Sequence, residues 1–157
     1  YNKWSTYTPE INSVMICYAS VYGGTQNCAE ILSTKLAQNG IKDIKMYDVS
    51  TVHPSYIVSD AFKYSHIVFA STTYNMGIFV NMENLLHDIC AHNLQNRKVA
   101  IIENGSWAPS CGNLMTEMVS KWKNTEIIGK KILVKSTVKN SNVEELELLA
   151  KEIAKTV

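Results

Sequence analysis

The sequence has few of the features by which a chain binds metal ions, nucleic acids or membranes. Its four cysteines and four histidines show no CxxC, HxH or HExxH spacing, so no metal site is expected within the chain. The net charge is only +1 and the lysines are dispersed, so nucleic acid is not an expected partner. No run reaches the ~18–20 apolar residues of a membrane helix, and no signal peptide is visible. We therefore expect a cytoplasmic protein.

Composition indicates one folded domain. Hydrophobic residues make up 46% of the 157 residues, and low-complexity tracts are absent, so the chain can bury a sizeable core. We expect the domain to span 13–157, after a linker or N-terminal extension at 1–12. The chain begins at Tyr1 rather than Met, which is expected of a domain taken from a longer protein or of a chain that has lost a tag.

Short apolar runs predict the strands. Four runs lack polar alternation, which is typical of strands buried on both faces of a parallel sheet. They are Val14–Cys17, Ile67–Ala70, Val99–Ile102 and Ile132–Val134. A fifth run, around Ile41–Tyr47, mixes lysines with apolar residues and suits an edge strand.

Apolar residues at helical spacing separate these runs and predict a helix after each strand. Asn39-Gly40 is expected to end the first helix and Pro54 to begin the second. The alternation of strand and helix, repeated five times, indicates a doubly wound α/β sandwich with helices on both faces of a parallel sheet. Ligands of such sheets bind at the carboxyl ends of the strands, where the strand order switches.

Three loops at these carboxyl ends are rich in hydroxyl, amide, glycine and aromatic residues: 19–25, 71–79 and 103–112. The first leads from a strand into a helix, where backbone N–H groups and the positive end of the helix dipole would bind a phosphate. No Lys or Arg occurs between Lys3 and Lys35, so amides and hydroxyls alone would hold that phosphate.

Several phosphate-binding classes lack the residues that they require. A P-loop needs GxxxxGK(S/T), and residues 18–34 contain no lysine. A dinucleotide fingerprint needs GxGxxG, and only Gly23-Gly24 is present. A phospho-acceptor receiver domain needs acidic residues where this chain has Tyr18-Ala19 and Ala70-Ser71. A ligand with one terminal phosphate remains, and the aromatic residues Tyr74 and Trp107 of the second and third loops suggest that it also has a flat ring.

The three loops resemble those of the flavodoxin family. The first matches the family's (S/T)-x-(T/Y)-G-x-T phosphate motif, as SVYGGT at 20–25. The second and third, Ser71–Gly77 and Gly105–Pro109, are similar to the loops in the flavodoxin module of flavodiiron proteins (A-type flavoproteins), and they carry Tyr74 and Trp107 for stacking on a ring. The Tyr1–Trp4 start resembles the linker between that module and its di-iron domain.

The chain departs from the family pattern in the second and third loops. Thr72 replaces the usual proline, and Val80-Asn81 replaces a proline-rich stretch. Pro109 stands where the family often has tryptophan. These departures concern the contacts to the ring more than the contacts to the phosphate.

The resemblance implies a flavodoxin-like three-layer sandwich, with a five-stranded parallel sheet of order 2-1-3-4-5, and FMN as cofactor. The first loop would bind the FMN phosphate, the second would wrap the ring, and the third would contact its pyrimidine side through backbone groups. The implied FMN-binding residues are Ser20, Val21, Tyr22, Gly23, Gly24, Thr25, Thr72, Thr73, Tyr74, Asn75, Gly77, Asn104, Gly105, Ser106 and Trp107. No catalytic residue and no metal ligand is implied.

The resemblance further implies an electron-transfer module of a flavodiiron-type oxidoreductase, without a complete catalytic site of its own. It would relay electrons to a di-iron centre outside this chain, in a redox partner protein or a tethered domain, and the full-length protein could form a homodimer. Two alternatives stay open. One is a free-standing flavodoxin-like carrier; the other is a flavodoxin-fold module that has lost FMN and serves in binding or assembly.

Overall fold

One sheet with helices on both faces makes up the fold. The computed structural model describes residues 11–19, 24–74, 77–78, 80–92, 94, 96–104, 111–122, 124–128, 132–134 and 140–156. The strands are β1 (Ile11–Ala19), β2 (Lys45–Asp48), β3 (Tyr64–Tyr74), β4 (Gly77–Ile78), β5 (Lys98–Asn104), β6 (Glu126–Ile127) and β7 (Ile132–Val134). The helices are α1 (Gly24–Gln38), α2 (Pro54–Ala61), α3 (Val80–Ala91), α4 (Cys111–Ser120) and α5 (Asn140–Ala154).

The predicted strand order is confirmed. The parallel strands lie in the order β2-β1-β3-β5, and β6 and β7 share the fifth position beside β5. β6 pairs with the start of β5 at Lys98 and Val99, whereas β7 pairs with its end at Ile102–Asn104. The fifth strand is thus divided into two short segments, of which the apolar run Ile132–Val134 predicts only the second.

The edge strand β2 begins later than its apolar pattern predicts. Ile41 belongs to the end of α1, where its N–H donates to the carbonyl of Leu36 at 3.2 Å. Gly40, with φ +86°, adopts the left-handed conformation that this helix-ending turn requires. Ile41 is therefore buried as part of a helix cap, and pairing of β2 with β1 starts only at Lys45.

Alternate strand residues face opposite helix layers, which explains why the predicted strands show no polar alternation. Cys17 and Phe69 belong to the core against α2, α3 and α4. Ile16 and Val68, one position earlier on the same strands, belong to the core against α1 and α5. Among the residues whose placement is described, no helix combines the length and apolarity of a membrane span.

A chain of hydrogen bonds joins the amino edge of the sheet to the end of α5. The Ser65 hydroxyl lies 3.2 Å from the Ser13 carbonyl and 2.6 Å from Nδ1 of His66. Nε2 of His66 lies 2.8 Å from the hydroxyl of Thr156, just beyond α5. Ile11 pairs with Tyr64 at this same edge. The first and last described residues of the chain therefore lie together.

Arg97 connects the start of β5 to the end of α2. Its side chain is buried, with Nε donating to the Ala61 carbonyl at 3.1 Å and one terminal nitrogen donating to the Phe62 carbonyl at 2.8 Å. Burial lowers the pKa of Arg97 to about 10, so the group is a cation at neutral pH. The guanidinium thus donates two hydrogen bonds to carbonyls at the end of a helix, where a positive charge is favourable.

Candidate functional site

The strand order brings the three predicted loops to one place. The chain passes from β1 outward to β2 and then returns to β3 on the other side of β1, so the order switches between β1 and β3. Ala19 at the end of β1 is in register with Ser71, and Thr72 is in register with Asn104 at the end of β5. The carboxyl ends of three adjacent strands therefore converge where doubly wound sheets bind their ligands.

A side-chain contact joins the first and third of these regions. Thr25 lies in the first turn of α1 and is 1% exposed, and Asn104 is 7% exposed. Nδ2 of Asn104 donates to the Thr25 hydroxyl at 3.4 Å, a long hydrogen bond between residues 79 positions apart. The sequence pattern suggests only backbone contacts for Asn104, so this use of its side chain is a new observation.

The start of α1 has the electrostatic character of an anion site. Its first turn contains no acidic side chain that would compete with a bound anion for the N–H groups and the positive end of the dipole. Thr25 places a buried hydroxyl in the same turn. A phosphate group fits this donor set, because amide and hydroxyl donors bind it without a cation.

The second predicted loop is largely a strand extension, which corrects the expectation of a loop over 71–79. β3 continues to Tyr74, and its last residues pair with β4 in antiparallel fashion, Thr73 with Ile78 and Tyr74 with Gly77. Two residues are too few for a periodic pattern, so the sequence does not predict β4. The backbone of Thr72, Thr73, Tyr74 and Gly77 is thereby held at the carboxyl edge.

Two polar residues are buried beside the site. Ser71 and Glu103 are register partners in β3 and β5, and they are 0% and 2% exposed. Strand alternation places Glu103 on the face of Ile101, toward α2, α3 and α4, and Asn104 on the opposite face. Glu103 directly follows an apolar strand run, which is the sequence signal for its burial.

The remaining predicted FMN-binding residues lie outside the described residues, and their roles stay predictions. They are Ser20, Val21, Tyr22, Gly23, Asn75, Gly105, Ser106 and Trp107. For Thr72, Thr73 and Tyr74 the structure describes the backbone positions alone. The geometry of the site therefore rests on Thr25, Asn104 and the ends of the strands.

The three cysteines whose side chains the structure describes do not form a reactive cluster. Cys17 and Cys28 are buried free thiols and Cys90 is an exposed one. Burial raises the pKa of Cys28 to about 11 and raises that of Cys17 well above its ordinary value, which keeps both as thiols. Within the described ranges, no group of three or more His, Cys, Asp or Glu side chains is placed to hold a metal ion.

A parallel sheet of this order, with polar residues at its switch point, defines a flavodoxin-like protein. A family model described as flavodoxin domain matches residues 15–126, and the chain belongs to this family.

Known proteins similar to this chain include much longer ones. An uncharacterised protein of Methanocaldococcus jannaschii is 22% identical over 156 residues, which cover 99% of this chain and 39% of that protein. The structure of rubredoxin oxygen:oxidoreductase from Desulfovibrio gigas superimposes with a TM-score of 0.89 at 22% identity, over 96% of this chain and 38% of that one. The chain thus spans about two fifths of the length of each.

A free-standing protein also shares the fold over its whole length. The flavodoxin of Streptococcus pneumoniae superimposes with a TM-score of 0.79 at 21% identity, over 92% of this chain and 99% of that one. At these identities the structural comparisons establish the fold, and the function has to be argued from the site.

Proposed function

We propose that this chain is an FMN-binding electron-transfer module. The observation that carries the proposal is the buried Thr25 and Asn104 pair, at the start of a helix without acidic residues in its first turn, beside the switch between β1 and β3. When bound, FMN supplies reversible electron transfer, and the protein supplies binding, orientation and electrostatics. Ser20–Thr25 would hold its phosphate, while Thr72–Tyr74, Asn75, Gly77 and Asn104–Trp107 would surround its ring.

The wider context that we propose is a flavodiiron-type oxidoreductase, in which this module passes electrons to a di-iron domain outside the chain. Support comes from the fold similarity to rubredoxin oxygen:oxidoreductase, of which the chain spans only 38%. The domain bounds 13–157, a cytoplasmic location and a homodimeric full-length protein belong to the same proposal. The similarity to a whole flavodoxin favours the second candidate, a free-standing electron carrier.

Binding of FMN by the purified protein tests the proposal, and Ser20→Ala tests the first loop. We expect FMN fluorescence to be quenched on titration with the wild-type apoprotein. Ser20→Ala should weaken binding about tenfold or more, because a hydrogen bond to a charged group contributes about 1.5–3 kcal/mol. Ser120→Ala is the control, since Ser120 is exposed at the far end of α4.

The two possible failures have different meanings. Wild-type protein that does not bind FMN would refute the proposed function and favour a module that has lost its cofactor. Wild-type binding together with an unchanged dissociation constant for Ser20→Ala would refute only the role of Ser20.

Charge around the site predicts the reduction potential. Residues 71–79 and 103–112 contain one charged residue, Glu103, so the second one-electron potential of bound FMN should be less negative than in a strongly acidic carrier. Glu103→Gln should raise this potential further, because it removes a negative charge that opposes an anionic reduced flavin. Spectroelectrochemical titration measures the second one-electron potential of the wild type and of Glu103→Gln.

The matched control is Glu126→Gln, because Glu126 is exposed and lies beside the opposite end of β5. Its potentials should equal those of the wild type. A very low second potential in the wild type would contradict the charge argument. An unchanged potential in Glu103→Gln would show that Glu103 does not act on the flavin.

A further inference from the structure

The contact between Asn104 and Thr25 has a defined polarity. Nδ2 of Asn104 donates, so Oγ1 of Thr25 accepts. A threonine hydroxyl has one proton, and a hydroxyl that accepts in one direction keeps that proton for an acceptor in another direction. The contact therefore constrains the direction in which Thr25 can donate.

The surroundings of Thr25 favour a negatively charged acceptor. The residue is buried in the first turn of a 15-residue helix whose first turn carries no acidic side chain. The free N–H groups of that turn and the positive end of the dipole attract an anion to the same place. A hydroxyl proton directed there would form a charge-assisted hydrogen bond, which is about twice as strong as a neutral one.

The position of Asn104 follows from the sheet. Ala100 and Ile102 pack in the core against α1 and α5, and Asn104 continues their alternation at the carboxyl end of β5. This is the face on which α1 begins, so a polar side chain at 104 can reach the first turn of that helix. An apolar residue of the same size could not donate to Thr25.

We propose that Asn104 is a positioning residue that orients the Thr25 hydroxyl toward a phosphate monoester, and so lets the site distinguish a flavin with a phosphate from the same flavin without one. The inference rests on the proposed function, because it assigns the phosphate of that ligand to the start of α1. It adds a specificity device that links the third loop to the phosphate site.

A double-mutant cycle with two ligands tests the device. Asn104→Leu, Thr25→Val and the double variant are titrated with FMN and with riboflavin, which lacks the phosphate. Asn104→Leu should weaken FMN binding about fivefold more than it weakens riboflavin binding, because only the phosphate uses the oriented proton. In the Thr25→Val background, Asn104→Leu should have no further effect on FMN, since its target is gone.

Two further variants complete the design. Asn39→Leu is the matched control, because Asn39 is an exposed asparagine at the other end of α1, and it should bind both flavins as the wild type does. Asn104→Ala is measured in parallel and replaces Asn104→Leu if the leucine does not fold by circular dichroism. When riboflavin binds too weakly for direct titration, its affinity is measured by competition against bound FMN.

The outcomes separate the inference from the proposed function. Equal weakening of FMN and riboflavin by Asn104→Leu would show a general structural role and overturn the inference. Independent, additive effects of the Asn104 and Thr25 substitutions on FMN binding would also overturn it. Failure of the wild-type protein to bind FMN would instead remove the proposed function on which the inference rests.

Discussion

The Arg97→Met variant should lose about 3 kcal/mol of unfolding free energy in urea denaturation. Methionine has a similar length but no donors, so the carbonyls of Ala61 and Phe62 would lose the hydrogen bonds that they accept from the guanidinium. A hydrogen bond from a charged donor contributes about 1.5–3 kcal/mol. Because the guanidinium also joins β5 to the end of α2, the loss should include the packing between them.

Two controls isolate the role of the guanidinium. Arg97→Lys keeps the positive charge but has no planar fork to reach both carbonyls, so it should lose less stability than Arg97→Met. Lys121→Met removes an exposed cation and should change the unfolding free energy by less than about 0.5 kcal/mol. An Arg97→Met variant as stable as the wild type would show that water or other groups satisfy the helix end.

Acidification from pH 7 to below pH 4 should remove about 3 kcal/mol of stability through His66 alone. Burial and the nearby positive charge of Lys98 lower the pKa of His66 from 6.5 to about 4. Between these values the unfolded chain binds a proton that the folded chain does not, so the stability falls as the pH falls. Above pH 6.5 the contribution is complete, and below about pH 4 both states are protonated.

The hydrogen bonds of His66 do not by themselves select the neutral ring. Ser65 faces Nδ1 and can donate onward to the Ser13 carbonyl. Thr156 faces Nε2 and can donate onward to the Ile153 carbonyl at 2.9 Å. Each hydroxyl can therefore accept a hydrogen bond from the ring nitrogen that it faces. Desolvation of a ring that is only 3% exposed, together with Lys98, decides in favour of the neutral form.

Urea titrations at several pH values test this prediction against two variants. His66→Gln should be less stable at pH 7 but should lose the part of the pH dependence that is due to His66. His87→Gln removes an exposed histidine and should keep the wild-type profile. Identical slopes for the wild type and His66→Gln between pH 6.5 and 4 would contradict the assignment.

The strands could be predicted because burial on both faces leaves a pattern in the sequence. The runs at Val14–Cys17, Ile67–Ala70 and Val99–Ile102 lie within β1, β3 and β5. The prediction of a strand at Ile41 is wrong, because an apolar residue in a helix cap has the same sequence pattern as one in a strand. β4 and β6 have two residues each, and such short strands are determined by their neighbours rather than by their own sequence.

The site could be predicted in its location but not in its contacts. The loop sequences predict that Thr25 and Asn104 lie at the same edge of the sheet, because ligands of doubly wound sheets bind at the carboxyl ends of the strands. Their hydrogen bond depends on the register of β5 and on the approach of α1, which join residues 79 positions apart. The burial of Glu103 likewise depends on the helices that cover its face of the sheet.

The contact between Thr156 and His66, and the pairing of Ile11 with Tyr64, have a consequence for any larger assembly. Ile11 and Thr156, the first and last described residues, lie at the amino edge, whereas the proposed cofactor site lies at the carboxyl edge. The sheet thus separates the two ends of the described chain from the proposed cofactor site. A partner could dock at the carboxyl edge without displacing Ile11 or Thr156.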